Sequence, residues 1–330
     1  MARIGMTTTV PVEIILAAGH VPVDLNNIFI ASPEPSRLVD AAEDAGYPRN
    51  ICGWIKGLYT AVINPSGNQP VDAVIAVTQG DCSNTHALME TYELAGVEVI
   101  PFAYPFDRDY DLLRLQMEKL ICRLGTDWAA VMAVKAELDR VRRKVAEIDR
   151  LTWEKNVVRG VDNHLFQVSC SDFNGEVSAF ERDVDAFLAA AAGAPELTET
   201  VRLGYIGVPP IITNLYDYLE SRGARVVFNE VQRQFAMPWG PDTPDIVEQY
   251  RVYTYPYGVF GRISDIAAEA ERRNLDGIIH YVQSFCFRQI EDMIFREKLS
   301  LPVLTIEGDR PGKVDARTRL RIDSFIEMLS

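Results

Sequence analysis

Residues 275–309, LDGIIHYVQSFCFRQIEDMIFREKLSLPVLTIEGD, decide the fold. The apolar run 277–282 has the length and composition of a buried parallel strand. It stops abruptly, and Cys286 follows. Ile290, Met293, Ile294 and Leu299 then recur at helical spacing, and Leu301-Pro302 leads into a second apolar run, 303–306. A strand, a helix and a strand within about 30 residues make a βαβ unit. In open α/β sheets chemistry gathers where strands end and helices begin, and Cys286 stands at such a point.

The same layout occurs earlier. Residues 71–77, VDAVIAV, read as a strand ending in TQGDC; Cys82 lies just beyond, a helix follows in HALMETYELAG, and VEVIPFAYP is the next strand. Upstream, 11–25 read as a short helix stopped at Gly19 and then a strand. Residues 36–45 read as a helix capped by Ser36, with Leu38 and Val39 inward and Gly46 past its end. Cys52 opens a further helix in CGWIKGLYTAVI. From 110 to about 156 apolar residues fall at threes and fours among dense charge, one long helix or a pair broken near Gly125-Thr126. A helix over 183–192 precedes a linker at Gly193-Ala194-Pro195. A second α/β half begins at Val201, with strands in VRLGYIGVPP and ARVVFNE and helices over 214–222, 263–273 and 317–329. Its Pro- and aromatic-rich stretch 232–258 reads as a long loop. The expected fold is α/β: two parallel-sheet (Rossmann- or flavodoxin-like) halves, 1–108 and 196–330, separated by a helical insert, 109–195.

A formal charge of −14 and a pI near 4.8 argue against a broad nucleic-acid or anionic-membrane surface. The first apolar stretch is only about five residues long, too short for a signal core or a membrane span. The expectation is a soluble, cytoplasmic protein. No G-x-G-x-x-G or Walker A pattern is present, so the chain carries no nucleotide-binding signature of its own.

The five cysteines, at 52, 82, 122, 170 and 286, are odd in number and widely spaced, which argues for reduced thiols rather than a disulfide framework. Cys52, Cys82 and Cys286 each stand at the amino-terminal edge of an expected helix, where the dipole and open N–H groups favour thiolate, the metal-binding form. Three thiolates drawn from both halves suffice for one centre with an open fourth position. The alternative is that each is a small buried hydrophobe. Cys122 falls within a helical period and is expected in the core, and Cys170 follows a short strand-like run in FQVSCSDFNGE. His86, four residues after Cys82, offers an alternative zinc site with the thiolates. His280 is expected to pair within or above the sheet, and His164 to lie in a loop.

The chain resembles the 2-hydroxyacyl-CoA dehydratase and benzoyl-CoA reductase family of iron–sulfur subunits. The stretches that carry the resemblance are VPVEIILAAGHVPVDL, NICGWIKGLY, VTQGDCSNTHALME, RLGYIGVPP with ARVVFNE, LDGIIHYVQSFCFRQIED, LPVLTIEGD and TRLRIDSFIEML, in order and over nearly the whole chain. It implies one [4Fe–4S] cluster per chain, at the interface of the two halves, with Cys52, Cys82 and Cys286 as metal ligands. It also implies an ATP-dependent iron–sulfur activator that injects one low-potential electron, and a dimer with a like or related second subunit. The implied enzyme is a dehydratase (lyase) or an ATP-dependent reductase, oxygen-sensitive and anaerobic, acting on a small molecule of the acyl-CoA kind. Electron transfer or scaffolding without a substrate is the alternative function.

The sequence departs from the family at three points. The family's cysteine in the segment matching YTYPYG is absent, with Tyr255 near its place; Cys82 is followed by Ser83 rather than Asp; and five cysteines are too few for a double-cubane cluster. Near-cluster or substrate candidates are Asn26 at the end of the first strand, Lys56 one turn after Cys52, and Gln283 beside Cys286. Gly207 and Pro209, where a strand ends and a ligand can approach, complete the set. Each is equally compatible with an ordinary turn, loop or helix position.

Overall fold

A computed structural model describes residues 1–63 and 70–330. Its eight strands are short and apolar: β1 (Arg3–Met6), β2 (Val21–Asp24), β3 (Ala73–Gln79), β4 (Glu98–Ala103), β5 (Val201–Ile206), β6 (Ala224–Asn229), β7 (Gly277–Gln283) and β8 (Val303–Gly308). Between β1 and β4 lie α1 (Val12–Ala17), α2 (Leu25–Ile30), α3 (Pro35–Asp44), α4 (Gly53–Val62) and α5 (Thr85–Leu94). The middle of the chain forms α6 (Tyr110–Leu124), α7 (Trp128–Trp153), α8 (Gly160–Ser169) and α9 (Val177–Ala191). The remainder supplies α10 (Leu215–Ser221), α11 (Glu230–Ala236), α12 (Ile246–Val252), α13 (Val259–Arg272), α14 (Glu291–Lys298) and α15 (Ala316–Leu329). Among the described residues no helix is long and apolar enough to cross a membrane.

All strand pairs are parallel, in two four-stranded sheets ordered β2-β1-β3-β4 and β6-β5-β7-β8. Every residue of β6 and β7 is buried, as parallel strands covered by crossover helices on both faces must be. The two sheets have the same strand order. In each, the chain reverses its direction of progress between the first and third strands, and the crevice at the carboxyl ends of such strands is where doubly wound folds bind ligands.

Two compact units contain these sheets. The first comprises residues 1–143, 169–182 and 237–258; the second comprises 144–168, 183–236 and 259–330. The helical stretch 109–195 is therefore divided between them. In the first unit a core cluster includes Val23, Ile55, Leu58, Val74, Leu88 and Tyr92. A buried ionic knot adds to it: Glu13 pairs with Arg142 at 2.8 Å and accepts from Gln249 at 2.9 Å and Tyr250 at 2.6 Å. In the second unit Ile206, Phe228, Ile266, Ile278 and Phe295 pack together. There Arg273 binds Asp149 and Glu269, each at 2.6 Å.

Local signals account for most element ends. Gly125 takes the left-handed cap (φ +73°) that separates α6 from α7, the break expected from sequence. Pro35 occupies the first turn of α3 with Glu34 as its cap, so Ser36 lies inside that helix rather than capping it. In α6 the buried residues are Leu113, Met117, Leu120 and Ile121. Cys122 falls one step off that stripe and is exposed, correcting its expected place in the core. The stretch expected as a loop over 232–258 holds most of α11 and all of α12. Residues 230–236 are all buried, so α11 has no exposed face and shows no amphipathic period. The run before Cys170 is the helix α8, not a strand, and His164 sits within it. Beside β7 the inward helical residues are Phe295 and Leu299, whereas Ile290 and Met293 are largely exposed.

Candidate functional site

The two sheets present their thiols alike. β3 and β7 are the third strands of their sheets and each ends in a glutamine, Gln79 and Gln283, with a cysteine three residues on. The intervening turn requires left-handed backbone in both cases: Gly80 has φ +99° and Phe285 φ +65°. For a bulky residue such as Phe285 that conformation is costly and is held only by its surroundings. The surroundings are hydrogen bonds: Ser284 N donates to Gly308 O at 2.8 Å, Cys286 N to Gln283 O at 3.0 Å, and Gln289 Nε2 to Gln283 O at 2.7 Å.

The carbonyls of Cys52 and Cys286 open helical turns, and that of Cys82 closes the turn just before α5. Cys52 O accepts from Lys56 N at 3.3 Å, Cys82 O from Thr85 N at 3.0 Å and Cys286 O from Gln289 N at 3.1 Å. Cys52 is the N-cap residue of α4 and is buried; Cys82, half-buried, packs against the same core cluster. Cys286, also half-buried, is the N-cap residue of a 3-10 turn, Phe287–Ile290, in the second unit.

Cysteines so placed can serve as metal ligands in their thiolate form. Open N–H groups at helix starts stabilise sulfur anions, and the Asn84 amide already donates to Cys82 Sγ at 3.4 Å. Two residues after Cys52, the Trp54 indole Nε1 is buried without a hydrogen-bond partner. Cys170 contrasts with these: burial pushes its thiol up to about 12, which keeps it neutral. Among the described residues no three His, Cys, Asp or Glu side chains are gathered around one metal position. Cys52 and Cys82 lie in the first unit and Cys286 in the second.

The other candidates occupy strand ends, turns and helices. Asn26 follows β2 and ties it to β1, its Nδ2 donating to Thr7 O and Asp24 Oδ1, each at 2.9 Å. Lys56 is buried and committed, with Nζ 2.7 Å from Glu43 Oε1 and 2.8 Å from Arg49 O. Gln283 is buried too, accepting from Tyr281 OH and donating to Asp309 O, both at 2.8 Å. Gly207 follows β5, next to β7. Its φ is +98°, and a Cβ there would stand 2.2 Å from Tyr281 O, so only glycine fits. Pro209 is half-buried in the same turn, whose Val208 O accepts from Tyr205 OH at 2.6 Å. His86 is exposed on α5, and Tyr255 is buried with its ring 6.2 Å from that of Tyr253.

Two further features are buried carboxyls, of which only the second carries no sequence signal. One is Glu230, wholly buried at the start of α11, which accepts from Gly207 N at 3.0 Å and from Arg262 at 2.7 and 2.9 Å. Burial alone would raise its carboxyl, but the Arg262 guanidinium outweighs that and holds it below the ordinary range. His280 stands in β7 with Nδ1 2.7 Å from Asp292 Oδ1, the pairing expected for it.

The other is the carboxyl pair Asp24 and Asp172, both buried, with Asp24 N donating to Asp172 Oδ2 at 2.8 Å. Burial first, and the Asp24 charge second, push Asp172 up to about 7; burial also raises Asp24. A carboxyl raised on folding holds its proton while the unfolded chain releases its own. Stability therefore falls as pH climbs from the ordinary carboxyl value to about 7. The expected loss is on the order of 4 kcal/mol. Melting temperatures from pH 5 to pH 8 should decline in the wild type and flatten in Asp172→Asn; an equal decline in both would remove the pair as the cause.

Two parallel sheets of one strand order, each with a cysteine past its third strand, define a two-half α/β protein. The chain belongs to the 2-hydroxyglutaryl-CoA dehydratase D-component family, whose model matches residues 7–329. It is thus a dehydratase-type subunit, and the match runs through both units. No curated protein sequence matches the chain.

Proposed function

We propose that this chain is the cluster-bearing subunit of an enzyme that removes water from a 2-hydroxyacyl-CoA thioester. Cys52, Cys82 and Cys286 would hold one [4Fe–4S] cluster. The observation that carries the reading is that each of these thiols stands at or just before the start of a helix, within a chain that matches the dehydratase family over residues 7–329. When bound, such a cluster supplies low-potential one-electron chemistry and an iron available to substrate oxygen.

The chain's own residues shape the surroundings. Gly207 lets its turn lie against β7 without a side chain. Gln283 and Ser284 spend their side-chain bonds on Asp309 and Glu307, which fixes the turn that carries Cys286. Lys56, bound to Glu43 and Arg49, anchors the first turn of α4 behind Cys52. Because the chain has no nucleotide-binding signature, ATP would be hydrolysed by a separate activator, and a like or related subunit would complete the enzyme.

Anaerobic purification tests the reading. A brown protein with about four iron and four sulfide per chain is expected. A colourless protein carrying zinc and no iron would contradict the cluster and favour the zinc alternative.

A further inference from the structure

The interior of the second unit is chemically incomplete at Gln232. This residue lies in α11 with no exposed surface, and neither its Oε1 nor its Nε2 meets a hydrogen-bond partner. Among the described residues no other carboxamide is buried with both atoms open. Asn163, Gln167 and Gln249 each leave an oxygen open but satisfy the NH2 group, on Asp149, Asp149 and Glu13. A buried amide that bonds to nothing loses the full cost of its desolvation. Two open atoms on one side chain therefore mark a place for a group that the chain does not itself supply.

Its position narrows the choice. α11 starts where β6 ends, and its first residue, Glu230, accepts from Gly207 N past the end of β5. Gln232 stands two residues from that link, at the same end of the sheet as Cys286, which follows β7. The two bonds from Arg262 to Glu230 pin the turn in advance. Ligand sites withdraw most of a small ligand from water, so residues that recognise it are themselves buried. A planar carboxamide offers an N–H donor and a carbonyl acceptor side by side. The matching ligand has an acceptor and a donor on neighbouring carbons, which is the pattern of a 2-hydroxyacyl thioester.

We infer that Gln232 determines specificity for the 2-hydroxyl, its Nε2 donating to the thioester carbonyl and its Oε1 accepting from the hydroxyl. The inference rests on the acyl-CoA reading above and adds the group that distinguishes a 2-hydroxyacyl from a plain acyl thioester.

Equilibrium binding to the full chain, purified anaerobically, tests it. The probes are short, acidic and aromatic 2-hydroxyacyl-CoA thioesters, each beside its 2-deoxy counterpart. Wild type should prefer the hydroxylated member of at least one pair by about tenfold, the worth of one hydrogen bond. Gln232→Met, of similar length, should bind both members alike and melt no lower than wild type. Gln232→Leu, which likewise lacks both donor and acceptor, should do the same and serves as the second variant should the first not fold. A preference that survives both substitutions, or a wild type that binds both members equally, overturns the inference and leaves the amide to a buried water only. A wild type that binds no thioester overturns the acyl-CoA reading as well.

Discussion

Protein carrying Cys286→Ser, purified without oxygen, should be colourless and hold essentially no iron, while folding and accumulating like the wild type. Serine is nearly isosteric, but its hydroxyl stays protonated where a cysteine at a helix start becomes an anion. Losing one of three thiolates leaves too few anchors for a cluster whose ligands are cysteines. Cys52→Ser and Cys82→Ser should behave in the same way. Cys122→Ser and Cys170→Ser are the controls, because one thiol is exposed on α6 and the other is held neutral by burial. Iron and acid-labile sulfide give the readout. A Cys286→Ser protein with the full wild-type complement of both would remove Cys286 from the ligand set.

The second large effect concerns stability. Arg262 and Glu230 are both buried and joined by two hydrogen bonds, and Arg262 also pairs with Glu291. Arg262→Ala strands the Glu230 carboxylate in the interior, and breaking a buried pair from one side typically costs about 3–5 kcal/mol. Replacing both partners, as in Arg262→Met with Glu230→Gln, should recover much of that loss because no unpaired charge remains. Denaturant unfolding of the single and double variants measures it, and a loss under about 1 kcal/mol in Arg262→Ala would show that water reaches Glu230. Since Glu230 also binds Gly207 N, the same substitution should blunt any preference set by Gln232.

Much of this protein is written locally. The runs 71–77 and 277–282 announce buried parallel strands because such strands are apolar on both faces, and the cysteines beyond them fall at strand ends in the sequence itself. Gly125 marks the end of α6 because few other residues accept its left-handed backbone. The family resemblance reads from the same local stretches, and the family match over residues 7–329 agrees with it. Other elements gave weaker signals. β1 is four residues with an exposed arginine at one end. α11, EVQRQFA, is polar in composition yet buried throughout, so neither its period nor its hydropathy identifies it.

The sequence alone determined the two α/β halves, their order and the three thiols at helix starts, because periodicity and turn chemistry act over a few residues. Only the tertiary structure decided what stands around them. Glu230 meets Gly207 and Arg262 across 23 and 32 residues of chain. Asp24 meets Asp172 across 148. Whether a buried amide such as Gln232 finds a partner depends on which distant groups packing brings to it. Hydrogen bonding and desolvation act through space, and nothing in the local order of residues records those neighbours.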